Sequence, residues 1–103
     1  STYDLEYANL NNAHFNPEFH YAFVRKHSNE LIILVVNFDD NLSDLKINIP
    51  ASLFSYFQIS DGIICHGQDL FTDNKAEYAI SSSVPFIITV AGRGIRVIKL
   101  LLQ

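Results

Sequence analysis

Short runs of alternating apolar and polar residues, separated by clusters of Asn, Asp, Gly and Ser, fill most of the chain. That is the periodicity of half-buried β-strands. The cleanest run is Asp44-Leu45-Lys46-Ile47-Asn48-Ile49, which turns Leu45, Ile47 and Ile49 inward and stops at Pro50, a residue unable to donate to a ladder. His20–Lys26 alternates in the same way, with Tyr21 and Phe23 on one face and Ala22 and Val24 on the other. Leu31–Phe38 is different. It is apolar at nearly every position, which predicts a central strand with both faces covered. His27-Ser28-Asn29-Glu30 between the last two runs reads as a hairpin turn.

The remaining elements are shorter. Tyr3–Ala8 predicts a first strand and the Asn-rich stretch Asn9–Pro17 a loop. Asp39–Ser43 is a polar loop. Ala51–Phe57 suits about two helical turns, with Leu53, Phe54 and Phe57 on one side. Asp61-Gly62 marks a turn before the apolar stretch Ile63–Cys65. Asp69–Thr72 and Glu77–Ile80 flank Asp73-Asn74-Lys75 as a hairpin, and Ser81-Ser82-Ser83 is loop. Val84–Val90 and Ile95–Leu102 predict a closing hairpin across Ala91-Gly92-Arg93-Gly94, whose glycines would supply the positive φ of a tight reversal. About seven to nine short strands in such a length imply an all-β fold, an antiparallel β-sandwich or barrel.

Composition agrees with a packed core: 49% of the 103 residues are hydrophobic and 17% charged. The length is that of one domain, residues 1–103. A formal net charge of −4 and seven scattered cations argue against nucleic acid or an anionic membrane as a partner. No apolar run reaches the roughly 20 residues of a membrane helix. Cys65 stands alone, so neither an internal disulfide nor a multi-cysteine metal site can form. The chain has no methionine, and Ser1 is therefore expected to be a processed end or the edge of an excised fragment.

Candidate chemistry is sparse. Asp39-Asp40 is the one adjacent carboxylate pair, but neighbours on an extended chain point apart, unlike the facing carboxylates of a glycosidase. Cys65-His66 diverges for the same reason and lacks an orienting third group. His14, His20, His27 and His66 lack the helical spacing of a zinc site, so no metal and no cofactor is expected. Gly92-Arg93-Gly94 is too short for a phosphate loop. Asn41-Leu42-Ser43 matches a glycosylation triplet of a kind that arises by chance. Sugar binding is the remaining possibility, because pyranose rings stack on exposed aromatic faces. The chain has five tyrosines, eight phenylalanines and no tryptophan. Most of these rings belong in the core, and Tyr56 and Tyr78 are the candidate stacking platforms.

Five stretches in order resemble a known family. Tyr3-Asp4-Leu5-Glu6-Tyr7-Ala8-Asn9 is similar to the first strand after the barrel in α-amylase family enzymes, glycoside hydrolase family 13. Tyr21-Ala22-Phe23-Val24-Arg25-Lys26 and Leu31-Ile32-Ile33-Leu34-Val35-Val36-Asn37-Phe38 resemble that family's "YAF-R … LLVVVNF" hairpin. Asp69-Leu70-Phe71-Thr72 resembles its "DLLTG" strand, and Gly94-Ile95-Arg96-Val97-Ile98-Lys99-Leu100 its closing "G-RVLKL" strand. The likeness spans nearly the whole chain. It departs where the family commonly has "TGE" and this sequence has Thr72-Asp73-Asn74.

The resemblance implies a C-terminal accessory sandwich that packs on the (β/α)₈ catalytic barrel of the same polypeptide, stabilises it, and sometimes helps to bind α-glucan such as starch. The family's catalytic carboxylates lie on the barrel, so no catalytic residue carries over to this chain. An apolar patch should be left exposed where the barrel would sit. Two alternatives stand beside this reading: a starch- or maltodextrin-binding module, and an unrelated β-sandwich interaction domain. The compartment, cytoplasm or periplasm or outside the cell, is left open.

Overall fold

The computed structural model describes residues 1–102. Over these, strand β2 (His20–His27) turns back on β3 (Glu30–Asn37) through an eight-pair ladder from His20↔Asn37 to His27↔Glu30. The reversal takes two residues, and Ser28 carries its positive φ of 55°. β1 (Thr2–Asp4) adds to the outer side of β2. On the other side of β3 lies β8 (Ile95–Leu101), followed by β5 (Ile63–Asp69) and β6 (Lys75–Ile80). The result is a six-stranded antiparallel sheet of order β1-β2-β3-β8-β5-β6. A second sheet pairs β4 (Ser43–Ile47) with β7 (Phe86–Val90). The all-β sandwich read from the sequence is the observed architecture, with eight strands among the described residues.

The core lies between the sheets. Val24, Leu31, Ile33, Val35, Ile98 and Leu100 face inward from the large sheet, and Leu45, Ile47, Phe86, Ile88 and Val90 from the small one, all buried. Each such side chain removed from water contributes about 1.5–3 kcal/mol. Helix α1 (Ala51–Phe57) closes one end of this layer with Leu53, Phe54 and Phe57, the three positions expected from its spacing. Gln58 then takes the left-handed conformation (φ 57°), and the Ile59 N–H donates back to the Phe54 carbonyl at 3.0 Å to end the helix.

Several local expectations fail for identifiable reasons. The first strand stops at Asp4, and Tyr7–Asn9 forms a 3-10 turn. There the Asp4 carboxylate accepts the Glu6 N–H at 2.7 Å, which bends the chain out of the ladder. β5 runs on to Asp69 rather than ending at Cys65, because β8 and β6 pair with it from both sides. The segments either side of Ala91–Gly94 do not form a hairpin: β7 belongs to the small sheet and β8 to the large one. Nor do the glycines supply the positive φ, which Arg93 takes at 53°. Gly92 is needed for closeness instead, since a Cβ there would lie 2.0 Å from the Asp40 carbonyl oxygen.

A two-stranded layer leaves two open edges, and buried asparagines cover them. On the β4 side, the Asn48 N–H donates to Asn9 Oδ1 at 2.7 Å, and Asn9 Nδ2 donates to the carbonyls of Asn48 and Leu5. Asn12 Nδ2 donates to the Lys46 carbonyl at 2.6 Å. On the β7 side, Asn37 Nδ2 reaches the carbonyls of Val90, Ala91 and Asn41, while its Oδ1 accepts the Asp39 N–H. Arg96 Nη1 donates to the Thr89 carbonyl at 2.8 Å, and its Nε donates to buried Asp69 at 2.6 Å. The other Asp69 oxygen accepts the N–H groups of Phe71 and Thr72. No buried side-chain nitrogen or oxygen among the described residues lacks a partner.

Two outcomes are expected. Asn37→Ala strands several buried backbone carbonyls and should cost about 2–3 kcal/mol in urea unfolding. Asp69 is raised by burial but lowered more by its bonds from Phe71, Arg96 and Thr72, for a net depression below 3.8. A depressed carboxyl stabilises the fold above its ordinary value, and that contribution is lost as pH falls through the native one. Unfolding free energy measured against pH should therefore drop below about pH 4, and Asp69→Asn should flatten this part of the profile.

Candidate docking face and tyrosine corner

The large sheet has two faces of different character. Its inner face is the core. On its outer face, strand register lines up Tyr21, Val36 and Ile95 in one row and Phe23, Leu34 and Val97 in the next. Phe19 and Phe38 extend the same face, joined by the Phe38 N–H donating to the Phe19 carbonyl at 2.7 Å. Tyr21, Phe19, Phe38 and Ile95 are exposed, and the others in these rows are half-buried. This is where the apolar side of Leu31–Phe38 goes: Leu31, Ile33, Val35 and Asn37 are buried, while Ile32, Leu34 and Val36 face outward and are only partly covered. Contiguous apolar surface is the kind that proteins use for contacts.

Charged ladders bound it toward the other end of the strands. Lys99 Nζ lies 3.7 Å from Glu30, and His66 Nδ1 lies 3.8 Å from Glu77. Both pairs are solvent-exposed or nearly so and contribute little to stability. At the β1 edge the Tyr21 hydroxyl is pushed above its ordinary 10.0, by burial first and then by the Asp4 and Glu6 carboxylates beside it.

The residues weighed for catalysis are scattered. Cys65 is buried, which raises its thiol above 9.0 and keeps it protonated, while His66 points to the opposite side of β5. Asp39 and Asp40 brace the turn at Arg93: the Arg93 N–H donates to the Asp39 carbonyl and Arg93 Nε to the Asp40 carboxylate. Burial holds His20 below 6.5, partly offset by Asp39, and the ring bonds Ser43. No group of three or more His, Cys, Asp or Glu among the described residues is placed to hold a metal ion.

The two candidate sugar platforms lie in different settings. Tyr78 is half-buried and stacks on Phe86, with centroids 5.7 Å apart and planes 28° from parallel. Its ring also covers Gly67, where an added Cβ would come within 2.5 Å of it. Tyr56 is 54% exposed on α1, held by edge-on contact with Phe57 at 5.0 Å and a tilted contact with Tyr3 at 5.6 Å. It lines an open groove of about 480 Å³ with Tyr3, Tyr7, Asp4 and Ser52, of which Tyr78 is not part. The grouping of Tyr3 and Tyr7 with Tyr56 was not visible in the sequence, because the 3-10 turn that presents Tyr7 falls within a predicted strand.

No family model matches the chain, and no curated protein matches it in sequence. Solved structures do resemble it. α-Galactosidase I from Mortierella vinacea superposes with a TM-score of 0.67 at 12% identity over 86% of this chain and 22% of its own. A noncanonic maltogenic α-amylase from Thermotoga neapolitana gives 0.60 at 23% identity over 84% and 19%. A β-L-arabinopyranosidase from Geobacillus stearothermophilus, of glycoside hydrolase family 27, gives 0.59 at 8% identity over 86% and 19%. The chain thus spans about a fifth of each. Its fold is one that occurs as a part of larger glycoside hydrolases.

Substitutions one residue apart should separate the two faces. Val36→Thr, on the outer face, should change unfolding free energy by less than about 1 kcal/mol. Val35→Thr buries a hydroxyl in the core and should cost about 2 kcal/mol in the same urea titration.

Proposed function

We propose that this chain is the non-catalytic accessory sandwich of an α-amylase-type glycoside hydrolase, seated by the outer face of its large sheet on the catalytic barrel of the same polypeptide. The observation that carries this reading is the apolar surface around Tyr21, Phe23, Leu34 and Val36. An isolated sandwich has no reason to expose it, whereas a sheet packed on a second domain does. The occurrence of the fold as about a fifth of larger glycosidases supports a role within such a chain. The order of the family-like strands, together with the 23% identity to the maltogenic α-amylase, favours an α-glucan such as starch as the parent's substrate.

The role follows from the packing. Covering the patch removes apolar area from water on both partners and so stabilises the barrel at about 25 cal/mol per Å² buried. Bond cleavage belongs to carboxylates on the barrel. The gene upstream of the Ser1 codon should encode a (β/α)₈ barrel carrying the family's three carboxylates; a start codon directly before Ser1 would overturn the reading. The purified chain should release no reducing sugar from soluble starch, and measurable release would equally overturn it. In the whole enzyme, Leu34→Asp should lower the melting temperature of the barrel by several degrees while changing the isolated chain far less.

A further inference from the structure

The strands with an unpaired side are not treated alike. β1 is only three residues long. The free sides of β4 and β7 are met by Asn9, Asn12, Asn37 and Arg96. β6 is six residues long and pairs with β5 alone. Beyond that ladder, no backbone group of Lys75, Glu77 or Ala79 has a partner among the described residues. One bond shows which peptide groups point outward. The Asp69 N–H donates to the Asn74 carbonyl at 2.9 Å, so Asn74 faces β5. Antiparallel ladders alternate, so Ala76 and Tyr78 bond β5, while Lys75, Glu77 and Ala79 turn their backbone groups to the open edge. A bare edge of this kind is a template for another strand. Lys75, Ala76, Glu77 and Ala79 are exposed, and the two alanines leave the backbone within reach.

The charges select the partner. Lys75 is in no ion pair among the described residues, and Glu77 has exposed His66 beside it at 3.8 Å. A copy of β6 brought up by a two-fold axis runs antiparallel and must set outward-turned residues opposite one another. Placing Lys75 or Glu77 opposite itself opposes like charges, and placing Glu77 opposite Ala79 gives it no cation. Placing Lys75 opposite Glu77 joins opposite charges, and the axis repeats the pair. The same register sets Ala76 opposite Ala76 at the close, non-hydrogen-bonded position, where Cα atoms stand about 4.5 Å apart and small side chains fit. A lone lysine on an edge deters pairing; a lysine and a glutamate two residues apart deter the competing registers and favour this one.

We propose that β6 is a self-association edge: two copies of this chain pair their β6 strands antiparallel about a two-fold axis at Ala76, with Lys75 of each opposite Glu77 of the other. Each such pair exchanges both of its backbone bonds, and the two large sheets run on as one. The edge lies beyond β5, away from Tyr21, Phe23, Leu34 and Val36, so the pairing does not depend on a barrel. A strand contact without an apolar centre buries less than the roughly 1,200 Å² of a standard interface. The dimer of the chain alone is therefore weak, with a Kd of about 0.1–1 mM.

The test is sedimentation equilibrium of the 103-residue chain, with amide NMR spectra recorded over the same concentrations. Dimer should accumulate between about 20 µM and 2 mM, and the amides of Lys75 and Glu77 should shift in step and exchange more slowly with solvent. Glu77→Lys turns both attractive pairs repulsive and should weaken association about tenfold. Lys75→Glu combined with Glu77→Lys restores the complementary pairs and should restore the dimer, a rescue that lost folding would not give. A chain that stays monomeric up to about 2 mM overturns the proposal. So does a dimer indifferent to Glu77→Lys, or one whose shifts are confined to the outer-face residues Phe19, Tyr21, Phe23 and Leu34. None of these failures bears on the upstream gene or on Leu34→Asp, so the two readings stand or fall separately.

Discussion

A sheet of two strands is the constraint around which this molecule is arranged. One side of each strand pairs with the other; the opposite sides would present bare peptide groups to a core or to water, and the buried ones must be satisfied. The chain meets that need with side-chain amides. Asn9 imitates a neighbouring strand by giving one acceptor and one donor to the peptide of Asn48. Asn37 serves the other edge from inside the large sheet and ties the two layers at the point where the chain crosses between them. An amide suits the task because it carries an acceptor and two donors on separate atoms at one short reach, whereas a hydroxyl offers a single donor and an ionised carboxylate none.

Much of the framework was legible because it is local. The alternation in 44–49 depends only on neighbours two apart, and so does the division of Tyr21 and Phe23 from Ala22 and Val24. Pro50 and the spacing of Leu53, Phe54 and Phe57 mark the helix for the same reason. The absence of a polar side in Leu31–Phe38 pointed to a second covered face, and that face proves to be the outward surface of the sheet, half-covered within this chain.

What stayed hidden depends on partners far along the chain. Asn9 and Asn37 look like ordinary loop and strand-end residues until residues 39 and 53 positions away are brought to them. Gly92 advertises flexibility in sequence, yet its use is closeness to Asp40. The continuation of β5 past Gly67 comes from the strands on either side of it, and Gly67 itself makes room for the Tyr78 ring. The tyrosine corner joins residues 2–8 to residues 50–56, two stretches that look ordinary when read alone. Tyr7 there rides the turn that ends at Asn9, the residue that covers the sheet edge.

The first and last strands along the chain are held very differently. β1 is three residues long and pairs on one side only, whereas β8 pairs along its length with β3 and over Ile98–Leu101 with β5 as well. A pulling force applied at the first residues would open one short ladder, bond by bond, like a zipper. The same force applied at Leu101 would have to shear the middle of the sheet, where many bonds are loaded at once. The sandwich therefore has a mechanical polarity, yielding at one end and firm at the other.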